Sequence, residues 1–213
     1  MTDTTSPAQV GTVPRQIGAV SARRLGALWI GAGLIGLTAA IALLVEKIEL
    51  LVNPDYIPTC NVSPILSCGS VMTTPQAEAF GIPNPIIGIV GFTAVAVAGG
   101  AVLAGNGFRL WFWGATQLGV TFAVVFIHWL IYQSLYVIGA LCPYCMIVWA
   151  VTIPLFWYTT VFSLRHLEGA TPRWVRRCIE IATGYHGVIL TVWVLVVIAL
   201  IANRFWDYWS SLV

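Results

Sequence analysis

Five apolar runs separated by short polar stretches organise the chain: Leu25–Val45, Pro85–Leu103, Leu110–Gln133, Pro143–Leu164 and Ile181–Ala202. At about 1.5 Å per helical residue, each is long enough to cross about 30 Å of hydrocarbon, so the pattern predicts five transmembrane helices. Pro154 lies inside the fourth run. It removes one backbone hydrogen bond and predicts a kink there. The first twenty residues are polar, contain Pro7 and Pro14 and have no apolar core, which predicts a disordered cytoplasmic tail rather than a signal peptide. Composition agrees with a membrane protein: 59% of the 213 residues are hydrophobic and 8% are charged, with a mean hydropathy of +0.88. A soluble domain cannot hide that much apolar surface.

Charge sets the expected orientation. An odd number of spans puts the termini on opposite sides. With the N-terminus inside, the cytoplasmic segments hold Arg15, Arg23, Arg24, Arg109, Arg165, Arg173, Arg176 and Arg177, against only Lys47 and Arg204 outside. That asymmetry follows the positive-inside rule and accounts for the net charge of +2 without nucleic-acid binding. The outside face then carries the long loop from Glu46 to Asn84 and the short turn Ser134–Leu141. Cys60, Cys68, Cys142 and Cys145 all fall on that face, where disulfides are permitted. Cys178 falls on the reducing side beside Arg176 and Arg177 and is expected to be an incidental or structural thiol.

The chemistry sits in Cys142-Pro143-Tyr144-Cys145, at the mouth of the fourth helix. Pro143 suits the first helical position, which makes Cys142 the expected N-cap. A sulfur there feels the positive end of the helix dipole and unpaired N–H groups, which favour its thiolate. Cys145 shares its helical face and lies about 4.5 Å deeper, so one sulfur faces water and the other lipid. Between Cys60 and Cys68, apolar Val62, Ile65 and Leu66 predict a segment lying on the membrane or the bundle. Three readings of the four cysteines stand at this point. One is a structural zinc site, although the eight-residue spacing of the first pair is wide for a zinc knuckle. Another is a transport or scaffold protein with structural disulfides. The third is relayed thiol–disulfide exchange, which suits a labile CxxC bridge at a helix start. There is no Gly-rich phosphate loop, metalloprotease histidine pair or serine-hydrolase elbow.

Over residues ~25–165 the chain resembles bacterial vitamin K epoxide reductase homologues. The resemblance rests on ordered motifs: Cys60 and Cys68 with their spacing, then SCGSVMTT, GIPNPIIG and CPYC. It implies an all-α integral membrane fold, a four-helix bundle around a quinone capped by the outside loop, with a peripheral fifth helix. The implied division is a tail (1–24), a catalytic core (25–164) with a periplasmic loop (46–84), a cytoplasmic loop (165–180), and the fifth helix with a short periplasmic C-terminus (181–213). A chain that stops at Val213 is similar to stand-alone actinobacterial forms, whose partner is a separate DsbA-like thioredoxin-fold protein. The implied reaction is disulfide formation: electrons pass from that partner through Cys60/Cys68 and Cys142/Cys145 to the membrane quinone pool, with menaquinone as the expected carrier. A DsbB-type oxidase shares this logic on another fold, but would place both cysteine pairs in outside loops.

The resemblance also implies site residues. Asn84 matches an asparagine that hydrogen-bonds a quinone oxygen, although an Asn before Pro85 is also an ordinary N-cap. Val71 and Met72 match pocket-lining positions. Thr74, before Pro75, matches a small hydroxyl position and is read as a helix cap. Trp149 stands where vertebrate relatives carry tyrosine, and its indole can donate a hydrogen bond but not accept one. Asn61 replaces a frequent acid. His128, within the third span, is read as a hydrogen-bonded structural residue rather than a proton relay.

Overall fold

The computed structural model describes residues 15–105, 107–167 and 173–210, without the side chains of 15–21, 165–167, 173–176, 178 and 179. Residues 1–14 of the expected tail and the Cys178 side chain therefore lie outside the described residues. The helices are α1 (Arg15–Val52), α2 (Cys68–Met72), α3 (Asn84–Leu103), α4 (Leu110–Tyr132), α5 (Pro143–Leu167), α6 (Arg173–Gly184), α7 (His186–Arg204) and α8 (Trp206–Ser210). A 3₁₀ turn (Pro75–Glu78) follows α2, and a π-helix (Gln133–Ile138) prolongs α4. Among the described residues, five helical stretches are long and apolar enough to span a membrane: Ala22–Val52, Asn84–Leu103, Leu110–Ile138, Pro143–Leu164 and His186–Arg204. The protein is an all-α, multi-pass membrane protein.

Three boundaries differ from the sequence reading. Helix α1 starts at Arg15 and runs to Val52, so it absorbs part of the expected tail and the start of the outside loop. The fifth span starts at His186, not Ile181, which belongs to α6. Four of the twelve residues of α6 are charged (Arg173, Arg176, Arg177 and Glu180), too many for a span, and Gly184 separates it from α7. The expected turn after the third span is instead a π-helix, closed by Gly139 with φ at 70°. Arg204, at the end of α7, donates from Nε to Leu135 O in that π-helix (2.7 Å). Pro154 lies within α5 without ending it.

Packing explains the bundle. Helix α1 lies against α3 and α5, while α4 lies against α5. The α1–α3 approach depends on absent side chains: a Cβ on Gly99 would sit 2.7 Å from Gly26 O, and one on Gly36 would overlap the Phe92 ring. Without a hydrophobic drive inside lipid, such close backbone contact is what joins helices. Gly99→Ala should therefore lower unfolding stability by about 1–3 kcal/mol, measured by thermal melting of the purified protein. Gly91→Ala is the control, because its Cβ would meet nothing within 4 Å. Equal melting of the two variants would refute the packing argument.

Polar ties fix two helices to the core. Trp29 is 1% exposed, and its Nε1 donates to Thr159 Oγ1 (2.9 Å), joining α1 to α5. Trp193 on α7 donates to His128 Nε2 (3.0 Å), while His128 Nδ1 lies 2.7 Å from Val124 O. A neutral His128 carrying its proton on Nδ1 satisfies both bonds. These contacts account for His128 as a residue that holds the peripheral α7 against α4.

Candidate active site

The cap over the site is built by local turns and stitched to the bundle by backbone. Val62 N and Ser63 N both donate to Leu66 O (2.9 and 3.2 Å), folding the segment between the two loop cysteines into a tight turn. Leu141 N donates to Ile65 O (2.7 Å) and Ser67 N donates to Leu141 O (2.9 Å). This short parallel bridge pairs Leu66, two residues before Cys68, with Leu141, the residue before Cys142. Ser67 caps α2 through Ser70 N (3.2 Å), and Asn61 Oδ1 accepts from Gly69 N (3.0 Å). The amide of Asn61 thus serves the start of α2, a capping task that short polar side chains perform well.

The last turns of α1 anchor the cap from below. Glu46 is buried and accepts from the Tyr56 hydroxyl (2.9 Å), Thr59 N (3.2 Å) and Thr59 Oγ1, fixing the residue before Cys60. The bond to Glu46 also raises the Tyr56 phenol above its ordinary value. Lys47 donates to Met72 O (2.7 Å) and pairs with Glu78 (3.1 Å). Sequence reading missed both roles. The available signal was Glu46-Lys47, adjacent charges at the end of an apolar helix, with Lys47 the chain's only lysine.

Within this frame the four cysteines come together. Cys60 and Cys68 form a disulfide, while Cys142 and Cys145 are free thiols. Cys142 Sγ lies 3.2 Å from Cys68 Sγ, across 74 residues of sequence. Cys60, Cys68 and Cys142 share one buried cluster with Leu43 and Met72. Cys142 sits at the head of α5, where Met146 N donates to its carbonyl (3.0 Å). Cys145 N points to its sulfur at 3.4 Å. The Cys142 thiol is held below its ordinary value, chiefly by a hydrogen bond from the Cys145 side chain. The N–H groups of Cys145 and Tyr144 add to this, and burial opposes it. With two sulfurs already joined, the four-cysteine zinc reading has lost half its ligands in this state.

Cys145 opens onto a cavity of about 840 Å³, which is also lined by Val71, Met72, Asn84 and Trp149. That volume is within the roughly 300–1,000 Å³ of ligand pockets. The lining is almost wholly apolar, as a quinone ring and its hydrocarbon tail require. One observation tests the fit directly: Trp149 is 3% exposed, and its Nε1 has no hydrogen-bond partner. A buried donor without an acceptor calls for an explanation, and a quinone oxygen in the cavity supplies one.

Three expectations are corrected here. Cys142 does not face water, because the cap covers it and sets its sulfur against Cys68. Asn84 does not cap α3 with its side chain. Its Oδ1 accepts from Ala79 N (3.1 Å) and its Nδ2 donates to Gln76 O (2.7 Å), so it ties the 3₁₀ turn to the bundle. The amide has two N–H donors, which leaves one for the cavity. Thr74 does not use its side chain as a cap either, and donates to Val71 O instead (2.7 Å). At both Asn84 and Thr74 a carbonyl of the folded cap competes successfully for the side chain.

A disulfide, an adjoining dithiol and an apolar cavity, set in one multi-pass bundle, are the parts of a membrane oxidoreductase. The model of the vitamin K epoxide reductase family matches residues 27–160, and the chain belongs to that family. The match runs from within α1 through most of α5, the elements that build the site. No curated protein matches the chain. Family membership makes it a quinone-linked disulfide oxidoreductase.

Proposed function

We propose that this protein is a quinone-dependent thiol oxidase that generates disulfides, drawing electrons from a separate DsbA-like thioredoxin-fold protein and delivering them to menaquinone. The observation that carries this is the line of sulfurs: Cys142 is 3.2 Å from Cys68 on one side, and Cys145 is on the cavity wall on the other. The arginine asymmetry supports an extracytoplasmic cap with a cytoplasmic N-terminus.

In this reading a partner thiolate attacks Cys60, and Cys68 leaves as thiolate. The partner's second thiol then attacks its own sulfur and releases Cys60, so the partner departs oxidised. Cys68 attacks Cys142 of an oxidised CPYC pair, expelling Cys145. Cys60 attacks Cys68 and expels Cys142, which restores the loop disulfide and leaves two thiols in CPYC. That product has the redox state and sulfur contact described above. A quinone bound in the cavity supplies an acceptor for two electrons and two protons. Cys142 and Cys145 give these up as they join. Trp149 and the remaining Asn84 N–H are the donors placed to hold its oxygens, with Val71 and Met72 as apolar wall.

The test is a purified-protein assay in which a reduced DsbA-like protein drives loss of menaquinone absorbance. Wild type should turn over and Cys68→Ser should not; mixed instead with the oxidised DsbA-like protein, the lone Cys60 thiol of Cys68→Ser should attack the partner's disulfide, expel its second thiolate and form an adduct through Cys60. No turnover with any quinone would overturn the assignment.

A further inference from the structure

A second cavity, about 330 Å³, lies between α1, α5 and α7. Arg24 on its rim and Glu46 beneath the cap are separated by 22 residues of one helix, about 33 Å, so this cavity is at the opposite membrane face from the cysteines. Its polar lining is Arg24, Tyr158 and His186, and its apolar lining includes Leu25, Leu28 and Val161.

Three features give it a chemical preference. The His186 ring nitrogen Nδ1 is buried and has no hydrogen-bond partner. Trp157 Nε1 donates to the His186 backbone carbonyl (2.8 Å), which fixes the start of α7, and Tyr158 packs edge-on against the ring at 5.7 Å. An orphaned buried nitrogen needs a ligand atom to satisfy it. Arg24 supplies a positive charge with no carboxylate partner among the described residues, and none of the described residues that line the cavity is acidic. His186 also opens the 19-residue α7, whose first N–H groups form the positive end of the helix.

An anion is therefore favoured, and the apolar walls favour one attached to hydrocarbon. We propose that this cavity binds the phosphate of an anionic phospholipid, with Arg24 and His186 contacting phosphate oxygens and Leu25, Leu28 and Val161 facing the lipid's apolar part. The bound lipid bridges α1, α5 and α7 and so anchors the fifth span to the catalytic bundle. A free phosphate shares the anion chemistry but gains nothing from the apolar wall.

Native mass spectrometry of the purified full chain in neutral detergent tests this, with phosphatidylglycerol and phosphatidylcholine as probes. Wild type should retain one phosphatidylglycerol selectively. Arg24→Gln and His186→Phe should each bind it about tenfold more weakly, the loss expected for one charged hydrogen bond. Arg23→Gln is the control: this exposed neighbour does not line the cavity and should bind as wild type does. Wild-type binding in both cavity variants, or equal loss in Arg23→Gln, would overturn the site. Displacement of phosphatidylglycerol by millimolar inorganic phosphate would overturn the lipid assignment.

Discussion

Replacing Cys145 with serine should bring quinone turnover down to the uncatalysed background and leave a Cys68–Cys142 bridge in the protein. The reasoning is geometric. Cys142 already lies 3.2 Å from Cys68, one sulfur of the loop disulfide. Its thiolate can attack Cys68, forming the new bond and expelling Cys60 as a thiolate, with no external oxidant. In wild type the bridge is resolved by Cys145 attacking Cys142 or by Cys60 attacking Cys68; serine removes the first route and leaves the bridge in exchange with the loop disulfide alone. The rate should depend on pH through Cys142, which reacts as thiolate. Its value is lowered, so the rate should rise with pH and level off below the range of an ordinary thiol. Because the Cys145 side chain is the largest cause of that lowering, Cys145→Ala should shift the profile to higher pH, whereas serine, which retains a hydroxyl donor, should shift it less. Alkylation followed by peptide mass spectrometry reads both the bridge and its rate. A variant holding only the Cys60–Cys68 disulfide at every pH would remove Cys142 from the relay.

The spans and the position of the CPYC pair were legible in the sequence because they depend on local quantities. Run length decides what crosses a bilayer, and Pro143 after Cys142 marks a helix start whatever surrounds it. The assembly of the site was not legible. The contact of Cys68 with Cys142 depends on the bridge between Leu66 and Leu141, which no period or spacing encodes. Asn84 and Thr74 show the same limit from the other side. Each has the local signature of a helix cap, and each bonds to the folded cap segment instead. Local propensity ranks the choices of an isolated turn, and tertiary carbonyls then add options that the ranking never contained. Glu46 and Lys47 are the clearest omission, since charges at a span's end read as interfacial anchors until the cap is seen resting on them.

The same structure changes which residue best tests the quinone pocket. Asn84 holds the 3₁₀ turn through two bonds, so Asn84→Ala should loosen the cap and slow turnover together, whatever the amide does in the cavity. Trp149 carries no such double duty, because its Nε1 bonds to nothing in the protein. Trp149→Phe keeps an aromatic ring against Ile153 and Leu135 in the core while deleting the orphaned donor. Relief of an unsatisfied buried N–H is worth about 1–3 kcal/mol, enough to offset the smaller ring's lost packing. Melting of the quinone-free variant should therefore be unchanged or higher. Turnover should move the other way. A donor aimed at an acceptor oxygen matters most as negative charge builds there, and removing one costs about 2–4 kcal/mol of barrier, on the order of a hundredfold in rate. Because that bond strengthens toward the transition state, kcat should fall more than KM rises. A purely structural tryptophan predicts the reverse pairing, with lower stability and turnover per folded molecule intact, and that result would sink the donor role.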